Sequence, residues 1–89
     1  MAVIVKRRGK KEEFDEKKVY GSIYAACMDC SVGEKMCENI AAKIIIDLKK
    51  FLKGKKEVNS TEIFGFVIQK LAKEHEPAAF MYQTHRDIS

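Results

Sequence analysis

Val3-Ile4-Val5-Lys6-Arg7-Arg8-Gly9, followed by Glu12-Glu13-Phe14-Asp15 and then Lys18-Val19, decides how this 89-residue chain folds. Val3-Ile4-Val5 is a β-branched run that favours a strand, and Arg8-Gly9 is a turn candidate because glycine takes positive φ without steric cost. Glu12-Glu13-Phe14 then reads as the return strand, with one large apolar anchor. Asp15 is placed to cap a helix through its carboxylate, and the helix begins at about Glu16. Within that helix Val19, Ile23 and Ala26-Cys27 recur at the spacing of a buried stripe. Lys6 and Arg7, where the strand enters its turn, and Lys18, one turn into the helix, are expected to converge on one small volume. A hairpin laid over a helix N-terminus and rimmed with cations is a cradle for phosphates, since backbone N–H groups, the helix dipole and ammonium groups all favour negative charge there.

The rest of the chain reads as further helices. Ser31-Val32-Gly33-Glu34 has the capping-box pattern at the start of a second helix, whose apolar stripe is expected to run through Met36, Ile40, Ile44, Leu48 and Phe51 or Leu52. Lys53-Gly54-Lys55-Lys56 closes that helix, and Glu57-Val58 suits a short third strand. A third helix follows with Ile63, Val67 and Leu71 in step, widened by Phe64, Phe66 and Ile68. Pro77, the only proline, suits the first turn of a fourth helix after a break near Glu74-His75-Glu76. The expected fold is α+β and mainly α: a four-helix bundle capped by a small three-stranded β-sheet, formed by the N-terminal hairpin and the short third strand. Residues 1–89 are expected to make a single domain, since a chain this short buries only one modest core.

Charge and cysteines narrow the function classes. Residues 1–18 hold seven Lys or Arg against four Asp or Glu, a net of +3 out of the chain's formal +4. No apolar run approaches the length of a membrane span, and Met1 leads directly into a strand and a charged turn, so neither membrane nor leader peptide is expected. Three cysteines, an odd number, argue against a disulfide framework and for a reducing cytoplasm. Cys27-Met28-Asp29-Cys30 has C-x-x-C spacing, but no second ligand pair of zinc-finger spacing accompanies it, and Cys27 falls in the apolar stripe; the thiols are read as structural. The chain lacks a G-x-x-x-x-G-K-[ST] loop and an acidic pair set to hold magnesium at a strand end. Nothing in it assembles a phosphoryl-transfer centre, so binding rather than hydrolysis is expected and no enzyme is read here.

Val5-Lys6-Arg7-Arg8-Gly9, Phe14-Asp15 and Lys18-Val19, together with Val58-Asn59-Ser60-Thr61-Glu62-Ile63 and with Ala78-Ala79-Phe80-Met81-Tyr82 followed by Arg86, resemble in order and spacing the ATP-cone domain. The resemblance covers essentially the whole chain. It implies a regulatory module that binds ATP or dATP as an effector. Such modules stand at the N-terminus of ribonucleotide reductase large subunits, in the bacterial repressor of reductase genes, and in archaeal proteins fused to other catalytic domains. Carried over position by position, nucleotide is expected at Val5, Lys6, Arg7, Arg8, Glu12, Asp15, Lys18 and Ser60. Lys6, Arg7 and Lys18 hold phosphates. Glu12 and Asp15 contact the nucleoside or order the site, and a carboxylate there can accept the adenine amino group or ribose hydroxyls, or bind Mg2+ against the phosphates. Arg8 departs from the family, which has Asp or Asn at that position, and Phe64 stands where reductase versions often place a polar residue.

The expected partners are the nucleotide, a regulated effector domain or protein, and a second copy of the chain. The alternative is a small basic nucleic-acid-binding or protein-interaction domain using Lys6, Arg7, Arg8, Lys10 and Lys11 on phosphates, or the N-terminal part of a larger enzyme such as a nuclease. Nucleic acid is disfavoured because Glu12, Glu13, Asp15 and Glu16 interleave with the cations and would repel a continuous backbone. The zinc ribbon carried by repressor members of the family is also absent from the chain.

Overall fold

Val3–Val5, the β-branched run, forms the first strand (β1), and it pairs on both sides. The computed structural model describes residues 3–5 and 9–88, with 85–88 as backbone alone. Strand β2 (Lys11–Glu13) runs antiparallel to β1, placing Val5 opposite Lys11 and Val3 opposite Glu13. Strand β3 (Glu57–Asn59) runs parallel to β1, placing Val5 beside Asn59 and Val3 beside Glu57. Gly9 sits at φ +74° on the way from β1 to β2, the left-handed backbone that a glycine takes freely.

Side chains alternate across such short strands. Ile4, Glu12 and Val58 share the inner face, where Val58 is buried and Ile4 packs on the core. Val5, Lys11 and Asn59 fall on the outer face with Val3, Glu13 and Glu57, and Lys11 reaches diagonally across it to Glu57 at 2.7 Å. That hydrogen bond and charge raise the Lys11 pKa above its ordinary value. Three-residue strands hold together poorly by themselves. Ile4, Val58 and the buried Phe14 fasten these ones to the helices.

The four helices are α1 (Glu16–Asp29), α2 (Glu34–Leu52), α3 (Ser60–Glu74) and α4 (Glu76–Ile88). Each packs on two others in a closed ring, α1 on α2, α2 on α3, α3 on α4 and α4 on α1. Cross-helix pairs show neighbours to be antiparallel: Lys49 meets Glu16, Lys43 meets Glu74, Phe51 stacks on Phe66, and Phe64 stacks on Tyr82. The starts of α1 and α3 therefore meet the ends of α2 and α4 at one end of the bundle, and the sheet caps that end. Ile23, Cys27, Cys37, Ile44, Leu48, Val67 and Leu71 are fully enclosed at the centre. The architecture is the expected one, a mainly helical α+β bundle under a three-stranded sheet, and Pro77 stands in the first turn of α4 after a break at His75.

Two local expectations fail. Met36 is 56% exposed, and Cys37 takes its place in the stripe of α2, because packing against α1 rotates the buried face by one residue at that end. The capping box at Ser31–Glu34 does not form. Gly33 is the N-cap of α2 and makes no side-chain hydrogen bond. Ser31 instead lies at φ +61°, just past the end of α1, where its N–H donates to the Met28 carbonyl and the Val32 N–H donates to the Cys27 carbonyl. This pair of bonds is a Schellman motif, in which the first residue past the cap must be left-handed. Serine fills a glycine position, and the closing of α1 overrides the opening of α2.

All three cysteines are free thiols. Burial, then the neighbouring Cys37 and Cys30, push the Cys27 thiol up to about 12. An unfolded cysteine ionises near 8.5, so above that pH the unfolded chain loses the proton first and the native state is disfavoured. Stability is expected to fall as the pH rises from about 9 toward 12, and urea titrations of Cys27→Ala should show a shallower decline than those of the parent chain. Ser31→Gly is expected to raise stability by roughly 0.5–1 kcal/mol, the relief of a left-handed β-carbon less the entropy of glycine, read as a higher urea midpoint at unchanged slope.

Candidate functional site

The two parallel strands end together. Val5 closes β1 and Asn59 closes β3 beside it, so the chain leaves both strands on the same side of the sheet, where Lys11 opens β2. Ligands of parallel strands gather at such carboxyl ends, where outgoing backbone and helix N-termini face open space. Asn59 runs without a loop into Ser60, the first residue of α3, and makes no side-chain cap hydrogen bond to the first turn of that helix. Lys6, Arg7 and Arg8, which follow Val5 in the chain, lie outside the described residues.

The remaining candidates are spread around this end of the bundle. Val5 and Glu12 are on opposite faces of the sheet, Val5 outward and Glu12 inward and half-buried beside Ile4. Asp15 is the N-cap of α1, and its Oδ1 accepts from the N–H groups of Lys17 at 3.0 Å and Lys18 at 3.4 Å. The expected phosphate cradle at the start of α1 is therefore already engaged by a carboxylate, and the uncapped helix start at the sheet's edge is that of α3. The Lys18 side chain is exposed on the first turns of α1, with the Ser22 hydroxyl donating to its carbonyl. Ser60 is half-buried at the start of α3.

One feature near Ser60 escaped the sequence reading. Phe64 stands one turn further along the same face of α3, and its ring stacks on Tyr82 with centroids 5.7 Å apart. The pair is a partly exposed aromatic surface beside Ser60. Its signal is present as an aromatic four residues after Ser60, but which helix supplies the second ring depends on α4 returning along α3. Among the described residues no three His, Cys, Asp or Glu side chains are grouped to hold a metal ion.

The chain belongs to the ATP-cone family: the ATP cone domain matches residues 2–87. ATP cones are nucleotide-binding regulatory modules, and this chain is one of them. It is also similar to three proteins named transcriptional repressor NrdR, each 33% identical. That of Lysinibacillus sphaericus aligns over 98% of this chain and 57% of its own length, that of Kosmotoga olearia over 96% and 55%, and that of Carboxydothermus hydrogenoformans over 98% and 58%. The chain thus spans a little over half the length of these relatives.

These relatives overturn the expectation that disfavours nucleic acid as a partner. The structure supplies the physical reason why the interleaved acids are a poor argument. Glu16 is bound by Lys49 at 3.2 Å, Asp15 is turned onto helix N–H groups, and Glu12 faces the bundle, so three of the four carboxylates invoked as a repelling surface are locally engaged or turned inward. No described helix is long and apolar enough to cross a membrane.

Asp15→Ala is expected to destabilise the chain by about 1 kcal/mol, whereas Asp15→Asn, which keeps the accepting oxygen, should stay close to the parent in thermal melts.

Proposed function

We propose that this chain senses nucleotide for a transcription regulator: ATP or dATP binds without hydrolysis at the carboxyl ends of β1 and β3 and shifts the association of the protein with itself or with a regulated partner domain. The observation that carries this reading is the shared end of the parallel pair. Val5 and Asn59 stop side by side, next to the uncapped start of α3, at the point where the chain enters Lys6-Arg7-Arg8. Phosphates are held there by Lys6, Arg7 and Arg8 with Lys18, and Ser60 hydrogen-bonds near the Phe64–Tyr82 surface, on which a base can stack. Glu12 serves the nucleoside or a Mg2+ ion carried by the triphosphate. Asp15 orders the site by fixing the first turn of α1.

Binding at this end can act on assembly because the site is built from elements that enter the bundle separately. A ligand bridging β1, β3 and α1 favours whichever arrangement holds them in register, and the shift it causes equals its difference in affinity between the two states. The resemblance of the chain to transcriptional repressors makes a DNA-bound regulator the natural recipient of that shift, and such a regulator acts in the cytoplasm.

Thermal unfolding with ATP, dATP and GTP, with and without Mg2+, tests the proposal. A nucleotide at about 100 times its dissociation constant stabilises by about 2.7 kcal/mol, on the order of 10 °C in a domain of this size. The shift is expected with ATP or dATP, is weak with GTP, and is lost in Lys6→Ala and in Lys18→Ala. Absence of any adenine-nucleotide shift in the parent chain would falsify the reading, as would release of inorganic phosphate at a steady rate.

A further inference from the structure

A second concentration of charge, apart from the one in residues 6–11, lies at the other end of the sheet. Lys49, Lys50, Lys53, Lys55 and Lys56 put five cations and no carboxylate into residues 49–56, so the rest of the chain, with 12 Lys or Arg and 13 Asp or Glu, is close to neutral. The run begins on the last turn of α2, where the helix dipole favours cations, and that alone accounts for Lys49 and Lys50. It does not account for Lys53, Lys55 and Lys56, which lie beyond the helix.

The backbone holds these lysines on a fixed corner. The Lys53 N–H donates to the Lys50 carbonyl, and the Lys55 N–H to the Leu52 carbonyl. Gly54 turns at φ +84°, and the Lys56 carbonyl accepts from the Val3 N–H at 3.0 Å, tying the loop to the start of β1. All five side chains are exposed. Lys49 is engaged with Glu16, and Lys55 lies over the Phe51 ring at 4.9 Å. Among the described residues no carboxylate lies within ion-pair distance of Lys50, Lys53 or Lys56. The neighbouring acid Glu57 is bound by Lys11, and Glu13 stands on the far strand of the sheet, with β1 between.

We infer that Lys50, Lys53 and Lys56 form a second phosphate-binding surface, separate from the nucleotide site, that docks on the backbone of duplex DNA. The choice of duplex DNA rests on the regulator reading above. The chemistry agrees with it: exposed ammonium groups without carboxylates between them suit a continuous polyanion, whose counterions they displace. A membrane fits less well, because the apolar members of the segment point inward, Leu52 buried and Phe51 stacked on Phe66 at 4.8 Å, leaving nothing to insert among lipids. The register places this corner at the Val3–Glu57 end of the sheet and the nucleotide residues at the Val5–Asn59 end, so β1 runs directly between the two, over about 7 Å.

The test is fluorescence anisotropy of a labelled random duplex titrated with the 89-residue chain from low to physiological salt. The comparison sets the triple variant Lys50→Gln, Lys53→Gln, Lys56→Gln against a charge-matched control, Lys17→Gln, Lys35→Gln, Lys73→Gln. The patch variant is expected to bind at least about tenfold more weakly, with the slope of log affinity against log salt reduced by about 0.9 for each lysine lost. The control should stay near the parent. Equal weakening in both variants, no duplex binding by the parent at low salt, or a loss seen only on anionic phosphatidylserine vesicles would each overturn the proposal. All the substituted side chains are exposed, and a thermal melt of each variant confirms folding. The adenine-nucleotide shift should be the same in the parent and the patch variant, and a parent that binds duplex without responding to nucleotide would reject the sensor reading while leaving this surface standing.

Discussion

The structure depends on one three-residue strand having two partners. β1 is hydrogen-bonded to β2 on one side and to β3 on the other, and β3 arrives more than fifty residues later in the chain. A parallel neighbour cannot be reached by a tight turn, so α1 and α2 serve as the crossover that brings Glu57–Asn59 back beside Val3–Val5. The bundle that fills this crossover supplies the apolar surface onto which Ile4 and Val58 close, and neither the sheet nor the junction of β3 with α3 would hold without it.

That constraint gives the sheet two ends of different character. At one, the two parallel strands finish side by side, β3 running into the start of α3 and β1 followed in the sequence by Lys6-Arg7-Arg8. At the other, the last turn of α2 and its lysine-rich loop are tied to the start of β1. In the proposed reading both ends take phosphate, one as a compact nucleotide site and the other as an open, exposed corner. A shift of β1 relative to β3 would move both ends together, and through it the proposed nucleotide site would bear on the proposed DNA surface.

Much of this was legible from residues. Val3–Val5, the Gly9 turn and the Asp15 cap follow from local chemistry, and each stands where the pattern puts it. The stripes through Ile23, Ala26 and Cys27 and through Ile63, Val67 and Leu71 are buried as their spacing requires. Ser31 and Met36 were misread for one reason: both lie at the junction of α1 and α2, where closing one helix and packing it on the next outweighs the local preference of a capping motif. In the sequence Lys53-Gly54-Lys55-Lys56 reads only as the close of α2, and Lys49 and Lys50 precede it on the last turn of that helix. Their standing as an uncompensated patch depends on which carboxylates fold back onto other partners, and composition does not carry that information.

By itself the sequence determined the elements, their order, the helix cap at Asp15 and membership of the family, because propensity, capping and periodicity act over a few residues and survive without a fold. Only the tertiary structure decided that Val5 ends beside Asn59, that Glu12 faces inward while Val5 faces out, that Phe64 finds Tyr82, and that Glu16 is taken by Lys49. Each of these joins residues far apart in the chain. Such pairings are chosen by the apolar surface that several helices bury together, a quantity that no single segment contains.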